Sequence, residues 1–479
     1  MDLLLINPGK IRQDYITEHL GIASLKSYVI SQGFLADTLD MSIEELSVQD
    51  GLARIMNINP KIAGFSLLDD SKRKGLTLIK ALRKSGYSGK IIIGGYFATF
   101  ASREVLRDYP EIDYVIRGEG EMTLAELMET LLRSPQKAIS QIAGLSYRDK
   151  GNIIENPARP LIQNLDILPP PDRKYAQAVL DKNFHLRVYG TRGCWGQCTF
   201  CDIIGMYRSS SGKVWRPRSV TNLVDEIENL HHRFKVDFFI FNDDQFLLKG
   251  AKGRERAEAF AGELEKRGLN IQFELMCRAD TIHRDTMARL QSVGLQRVFL
   301  GLESFDEQQL KRFNKRITVR QNLRALITLY QLKIDVLASV ILADAYTTIW
   351  DLVKQFITLF ELRRRYFNST KCQISVNNKL EVYRGSAVYR EYKSKGLLTR
   401  DHYMEDYAYK LNFWTNFRLK LFELEGRAGR LILRPGKVFQ NLIGTLRWYF
   451  GQARLVLTQN RHYQNYLILN CFKPKHPTN

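Results

Sequence analysis

The sequence predicts an α/β protein built from two strand-and-helix units in succession. The first is a doubly wound parallel sheet, the second a partial or full β/α barrel, with a mainly helical region after it. Three observations carry this. Short apolar runs alternate with helix-spaced segments over the first 150 or so positions, three consecutive prolines (Pro169-Pro170-Pro171) then interrupt, and the alternation resumes after about residue 184. A chain of 479 residues is also too long for one ordinary domain. The expected divisions are 1–160, a proline-rich linker 161–183, 184–400, and a basic region 401–479.

In the first unit, Asp2-Leu3-Leu4-Leu5-Ile6 is an apolar run stopped by Asn7-Pro8, and residues 21–32 carry apolar side chains at helical spacing. Residues 61–66 form the next strand, followed by an amphipathic helix over 76–84. Strands over 90–95 and 114–118 and a helix over 123–132 complete the pattern. In such a sheet ligands bind beyond the carboxyl ends of the strands, and the glycines Gly94, Gly95, Gly118 and Gly120 lie there with Glu119. Glycine admits a ligand close to the backbone, and it serves equally as a tight strand-to-helix turn.

The second unit opens with a strand over 185–189. Residues 237–241 are a strand ending at Asn242-Asp243-Asp244, preceded by a helix over 220–234, and 271–278, 297–304 and 334–342 are the strands that follow. The chemistry of a β/α barrel gathers at the carboxyl ends of its strands. Asp243, Asp244, Arg278, Glu303 and Ser304 sit at those ends, although a charged strand end is as often simply solvated.

Between the first strand of this unit and a helical stretch lies Gly190-Thr191-Arg192-Gly193-Cys194-Trp195-Gly196-Gln197-Cys198-Thr199-Phe200-Cys201-Asp202. Cys194, Cys198 and Cys201, half of the chain's six cysteines, are spaced C-x3-C-x2-C on a glycine-rich loop, so three thiolates can meet at one small site. A structural zinc site wants four ligands, and no second Cys or His pair adjoins at finger-like spacing; His185 is the nearby imidazole. A disulfide framework belongs to small secreted chains, whereas this one is long, shows no leader pattern and has few cysteines. What remains is an iron–sulfur cluster held by three cysteines, one iron keeping an open position.

The triple cysteine with Phe200 before its last member resembles the signature of the radical SAM enzymes. That resemblance implies a [4Fe-4S] cluster on Cys194, Cys198 and Cys201, S-adenosylmethionine at the open iron, and reductive cleavage to a 5′-deoxyadenosyl radical, with Phe200 shielding the cluster beside the adenine. It places Asp243 and Asp244 at the cofactor's amino group, matches Arg278 and Asp280 to an Arg-x-Asp after the third strand, and sets Glu303 and Ser304 near its ribose and methionine. The stretch Ala343-Asp344-Ala345-Tyr346 departs from the pattern, since relatives carry a glycine and a proline there. Upstream, Glu18-His19-Leu20-Gly21-Ile22-Ala23-Ser24-Leu25, Gly94-Gly95-Tyr96-Phe97-Ala98-Thr99 and Asp113-Tyr114-Val115-Ile116-Arg117-Gly118-Glu119-Gly120-Glu121 look like the Rossmann-like cobalamin-binding domain of one large radical SAM subfamily. The implied cobalamin contacts are Gly94, Gly95, Thr99, Gly118, Glu119 and Gly120. The D-x-H-x-x-G motif that supplies a histidine to cobalt is missing at Asn7-Pro8-Gly9-Lys10. Cobalamin is therefore expected without a histidine ligand, with Ser66-Leu67-Leu68-Asp69-Asp70 beneath the metal and Leu67 and Leu68 either keeping that face dry or serving as ordinary core residues.

The resemblance covers about residues 1–350 and implies a cobalamin-dependent radical SAM enzyme, similar to the class B methylases, that methylates an unactivated carbon. Ring closure or rearrangement without methyl transfer is the alternative, and a non-catalytic cobalamin or cluster sensor with a basic tail is another. Methylthiotransferases acting on transfer RNA carry three further cysteines in the first domain, and no cysteine precedes Cys194 here. The substrate is expected to be a small molecule, a lipid or a peptide, and the electron donor a flavodoxin or ferredoxin.

A hydrophobic content of 44% with 11% aromatics excludes global disorder, and a formal charge of +20 favours an anionic partner. The charge concentrates at the end: from Leu411 to Asn479 eleven Lys and Arg stand against two Glu, 11 − 2 = +9. Residues 431–457 read as a basic amphipathic helix. Packing across the barrel mouth is favoured, association with an anionic membrane surface comes second, and nucleic acid is not an expected partner. No apolar run is long enough to span a bilayer, and reduced cysteines point to the cytoplasm.

Overall fold

The apolar run near the start of the chain is buried on both faces, as a central parallel strand must be. In the computed structural model, which describes residues 1–9, 16–134, 138–366 and 372–411, this run is β1 (Leu3–Asn7). There follow α1 (Leu20–Ser31), β2 (Ala36–Asp40), α2 (Val48–Ile58), β3 (Ile62–Ser66), α3 (Lys72–Lys84) and β4 (Lys90–Gly94). Then come α4 (Tyr96–Phe100), α5 (Ser102–Asp108), β5 (Tyr114–Ile116), α6 (Glu121–Leu132) and the antiparallel pair β6 (Leu145–Asp149) and β7 (Asn152–Glu155). The strand order is β2-β1-β3-β4-β5-β6-β7, with β1 to β5 parallel. The winding reverses between β1 and β3, and that reversal opens a crevice beyond their carboxyl ends. The sequence reading missed β2 and α2. β2 is an edge strand reading Ala-Asp-Thr-Leu-Asp, too polar to stand out, and α2 is announced mainly by its capping box between Ser47 and Asp50.

Residues 161–183 are not a free linker. Ile162, Leu165 and Leu168 form a small apolar cluster against Tyr28 and Met122, around a short turn at Leu165–Ile167. The segment then enters α7 (Ala176–Asp181), which buries Ala176 and Val179 in the core of the second unit.

That unit contains β8 (Leu186–Val188), β9 (Thr191–Arg192), α8 (Asp202–Arg208), β10 (Arg216–Pro217) and α9 (Val220–Phe234). Its later strands are β11 (Phe238–Phe241), β12 (Gln272–Arg278), β13 (Leu295–Glu303), β14 (Asp335–Ala343) and β15 (Cys372–Lys379). Six of them make one parallel sheet in the order β8-β11-β12-β13-β14-β15, each beside its neighbour in sequence. Among the described residues β8 and β15 are its two edges, so the barrel they form is partial. A nest of rings, Phe241, Phe246, Phe260 and Phe273, packs within its core at 5.2–5.8 Å between centroids, mostly edge-on. Residues 401–411 are not helical: Leu398–Arg400 pairs with Ala408–Tyr409 as a short antiparallel ladder. The expected basic helix over 431–457 lies outside the described residues. Among the described residues no helix is long and apolar enough to cross a membrane.

Two buried ionic knots tie the sheets together. Arg173 donates to Glu18 of the first unit at 2.7 Å and to Glu226 on α9 at 2.6 Å, all three being buried. Burial raises the Glu18 carboxyl above its ordinary range, with Arg173 opposing. Glu119, beyond β5, receives Arg192 of β9 at 3.3 Å and Arg216 of β10 at 2.8 Å, while Arg192 also reaches Glu121 at 2.6 Å. Removing one member of such a pair leaves a buried charge uncompensated. Arg173→Met is expected to cost about 3–5 kcal/mol, read as a lower urea midpoint with the far-ultraviolet spectrum of the folded state unchanged. A loss below about 1 kcal/mol would mean that water screens the pair as it does at a surface.

Candidate cofactor cavity and cluster loop

A cavity of about 480 Å³ opens at the carboxyl edge of the first sheet and extends to the mouth of the barrel. Its deep part is an apolar slot between the strands and helices α1 and α6, bounded by Leu5, Phe65, Ile92, Ile116, Leu25 and Leu124. Gly64 on β3 also lines it, and a Cβ there would stand 3.0 Å from Leu5 Cδ2. A flat apolar base fits such a slot. Gly94, Gly95, Gly118, Glu119 and Gly120 all line the cavity. Gly95 has φ 96°, and a Cβ on it would meet the Leu67 carbonyl oxygen at 2.7 Å.

Thr99 does not line the cavity. Its hydroxyl donates to Gly95 O at 2.8 Å and accepts from Gly118 N–H at 3.1 Å, bracing the two glycine loops against each other. Glu119 lines the cavity, but its carboxylate is taken by Arg192, Arg216 and the Ile162 N–H. Burial pushes its pKa upward, and these partners more than offset that, leaving it below the ordinary carboxylate range. Of the two leucines after β3, Leu68 faces the cavity, whereas Leu67 is a fully buried core residue.

The sequence reading passed over His19 as a working residue. It caps α1: Nδ1 accepts from Ile22 N–H at 3.3 Å, so Nε2 carries the proton and donates to Ser66 Oγ at 3.0 Å. Burial lowers its pKa, in keeping with a neutral ring. The residue lines the cavity with both nitrogens already committed. Tyr207, on the helix that follows the cysteines, was also missed. It is 7% exposed and lines the cavity from the barrel side with Met206 and Asp244.

The three cysteines lie on one loop. Cys198 is buried, Cys194 Sγ accepts from Gly196 N–H at 3.3 Å, and Cys198 acts electrostatically on both Cys194 and Cys201. Burial raises the Cys194 and Cys201 thiols. Among the described residues no three His, Cys, Asp or Glu side chains close on a single-ion site. A cluster asks for a wider arrangement, since each thiolate binds a different iron. The loop is held by Trp195 Nε1, which donates to Leu247 O at 3.1 Å, and by Arg278, whose guanidinium lies 4.6 Å over the Trp195 ring. Phe200 packs edge-on against Phe313 at 5.1 Å.

Four barrel residues named by the resemblance have side chains engaged within the protein. Asp243 is 1% exposed and off the cavity, with both oxygens accepting from Gly190 N–H at 3.1 Å; it pins the start of the cysteine loop. Ser304 is fully buried, donates to Gln309 Oε1 at 2.5 Å and accepts from Asp306 N–H at 2.9 Å, so its hydroxyl is spent inside the protein. Arg278 is 5% exposed and turns toward Cys198, Asp280 and the Lys315 carbonyl. Glu303 pairs with Lys315 at 2.8 Å. Asp244 does face the cavity, while accepting from Gly193 N–H at 3.0 Å.

Burial pushes Asp243 up to about 6 and Asp244 to about 7, and Asp244 is raised further by the neighbouring Asp243 and Asp202. Between the ordinary value of 3.8 and about 7 the folded chain therefore holds a proton on Asp244 that the unfolded chain has released. Stability falls as pH rises through that window. Urea unfolding of the cofactor-free protein at pH 5 and pH 8 is expected to show this decline, and Asp244→Asn should flatten it. Equal slopes in the two proteins would mean that Asp244 is already ionised in the fold.

Comparison with known proteins agrees with this geometry. Residues 188–354 match the radical SAM superfamily and residues 10–128 match the B12 binding domain. An uncharacterized methyltransferase of Pyrococcus horikoshii is 30% identical over 329 residues, which are 67% of this chain and 69% of that protein. The anaerobic magnesium-protoporphyrin IX monomethyl ester cyclase of Rubrivivax gelatinosus is 28% identical over 64% of this chain and 55% of its own length. Among solved structures, the cobalamin-dependent S-adenosylmethionine radical enzyme OxsB, with aqua-cobalamin and S-adenosylmethionine bound, superposes with a TM-score of 0.74 at 20% identity, over 88% of this chain and 66% of that one. The family's cofactors are a [4Fe-4S] cluster, S-adenosylmethionine and cobalamin. With a B12-binding domain ahead of a radical SAM domain, each lending residues to one cavity, this chain belongs to the cobalamin-binding radical SAM enzymes.

Proposed function

We propose that this enzyme methylates an unactivated carbon of a small-molecule substrate, using cobalamin and S-adenosylmethionine bound on either side of one cavity. A single observation carries the reading: the space that begins as an apolar slot among Leu5, Gly64 and Phe65 ends against Tyr207 and Asp244, which follow the cysteine loop and β11. When bound, the cluster with S-adenosylmethionine supplies a 5′-deoxyadenosyl radical, and cobalamin supplies a methyl group.

The chain's part is to hold and to exclude. Cys194, Cys198 and Cys201 would carry the cluster, and Phe200, braced on Phe313, would cover it. The slot would take the apolar end of the cobalamin tail, and Gly94, Gly95, Gly118 and Gly120 would leave its rim open. His19, with both nitrogens engaged, supports cobalamin bound without a histidine ligand. Leu68 would keep the cobalt-facing wall dry. Asp244 would accept the ammonium of S-adenosylmethionine, releasing its proton as the positive charge arrives. The reducing electron would come from an external donor such as a flavodoxin or ferredoxin. The proposed division of labour is 1–160 for cobalamin and 184–400 for the cluster. Ring closure without methyl transfer is the second reading, favoured by the cyclase of Rubrivivax gelatinosus among the relatives.

Anaerobic reconstitution with iron, sulfide and cobalamin tests this. The absorption spectrum should show both cofactors, and 5′-deoxyadenosine and S-adenosylhomocysteine should both accumulate with a competent substrate. Deoxyadenosine without cobalamin binding would sink the two-cofactor model, and deoxyadenosine without S-adenosylhomocysteine would favour cyclisation. Cys198→Ala is expected to bring both products to background while cobalamin still binds. Gly94→Leu, which would crowd the cavity rim beside Ile116, should do the reverse to the spectrum, removing cobalamin and sparing the cluster.

A further inference from the structure

Two cations are buried at the cysteine loop, and two glycines make room for them. A Cβ on Gly196 would stand 3.0 Å from Arg278 Nη1; one on Gly301 would stand 3.1 Å from Lys315 Nζ and 2.7 Å from Glu303 Oε1. Neither glycine has a positive φ, so it is space that the position needs, not a special backbone angle. Arg278 and Gly301 are register partners across β12 and β13, which sets the two cations side by side. Arg278 Nη1 donates to Cys198 Sγ at 3.5 Å, its Nε donates to Asp280 at 3.0 Å, and Nη2 donates to the backbone carbonyl of Lys315 at 2.5 Å.

Lys315 is 4% exposed, and its ammonium donates to Glu303 at 2.8 Å. Burial works against its charge, yet Glu303 and Cys198 more than compensate, and it stays a cation. Glu303 itself has φ 65°, in the left-handed region that a non-glycine residue rarely adopts, where the β13–β14 register shifts. Local strain of this kind persists only where the surroundings over-determine it, and here it keeps the carboxylate against Lys315.

On the reading that Cys198 holds a [4Fe-4S] cluster, the pair has a consequence for electron uptake. One electron from an external one-electron donor adds one negative charge to the cluster, and no bond breaks. A buried cation joined to a ligating sulfur through Arg278, which bonds both Cys198 Sγ and the Lys315 carbonyl, favours the more negative state, and a carboxylate beside that cation reduces the effect. We propose that the Lys315–Glu303 pair tunes the cluster's reduction potential, Lys315 holding it up and Glu303 holding it down.

The test is a redox titration of the reconstituted full-length enzyme, followed by the electron paramagnetic resonance of the reduced cluster, after iron and sulfide content have been measured. Lys315→Met is expected to disfavour reduction about tenfold, a shift of about 59 mV for one electron. Glu303→Gln is expected to shift the potential the other way, and Lys315→Arg should stay near the parent value. A loosened site would move both neutral variants in the same direction, so opposite signs distinguish charge from packing. If the parent protein loads no cluster, the cluster assignment itself fails. If it loads one, and Lys315→Met and Glu303→Gln leave the potential unmoved or shift it alike, the tuning role is overturned. Should Lys315→Met fail to load, Glu303→Gln decides alone, since an unmoved or lowered potential there is enough to reject the proposal.

Discussion

The architecture depends on burying charge between two sheets. Glu119 leaves the end of β5 and meets Arg192 and Arg216 from the barrel; Arg173 leaves the inter-sheet segment and meets Glu18 and Glu226. Buried ion pairs gain little over well-packed apolar groups but lose much when one partner is missing. They therefore specify a relative placement more than they add stability. That placement decides the distance across the cavity, because the glycine rim of the first sheet and Tyr207 and Asp244 of the barrel are its opposite walls. Glu119, which resembles a cofactor contact in sequence, also holds that gap through Arg192 and Arg216.

The cysteine loop shows the same economy. Asp243 holds its first turn through Gly190, Asp244 holds the next through Gly193, and Arg278 lies over Trp195 and against Cys198. Each of these acidic or basic groups stands at the end of a barrel strand, where parallel topology delivers side chains from neighbouring strands to one face. Most of their hydrogen-bonding capacity is used on the protein itself. The site is thus pre-organised before any cofactor arrives.

Much of this was legible in the sequence, for a physical reason. Cys194, Cys198 and Cys201 are close in the chain, and a short loop forces them close in space whatever surrounds it. Gly94, Gly95, Gly118 and Gly120 follow strands whose apolar runs are unmistakable, and a parallel sheet leaves such loops on its ligand-binding edge. Ser304, Thr99 and Asp243 were read as contacts because they occupy contact positions, yet each found a partner within the fold. Leu67 and Leu68 are adjacent and chemically identical. The local turn buries one and turns the other to the cavity, a distinction no composition records. Residues 161–183 looked like a linker because of three prolines, but Ile162, Leu165 and Leu168 had apolar neighbours to meet.

What the sequence determined by itself is the class of chemistry and the order of the units: strand runs, glycine loops and a triple cysteine are local signals, set by neighbours within a few residues. What the tertiary structure alone decided is which charged groups are spent on holding the site and which remain to serve it. Lys315 lies 117 positions after Cys198 and carries no motif, and His19 and Ser66 are 47 residues apart. Such pairs exist only once the sheets have formed, because burial makes an unpaired charge or hydrogen-bonding group costly and so selects, from distant parts of the chain, the partners that satisfy it.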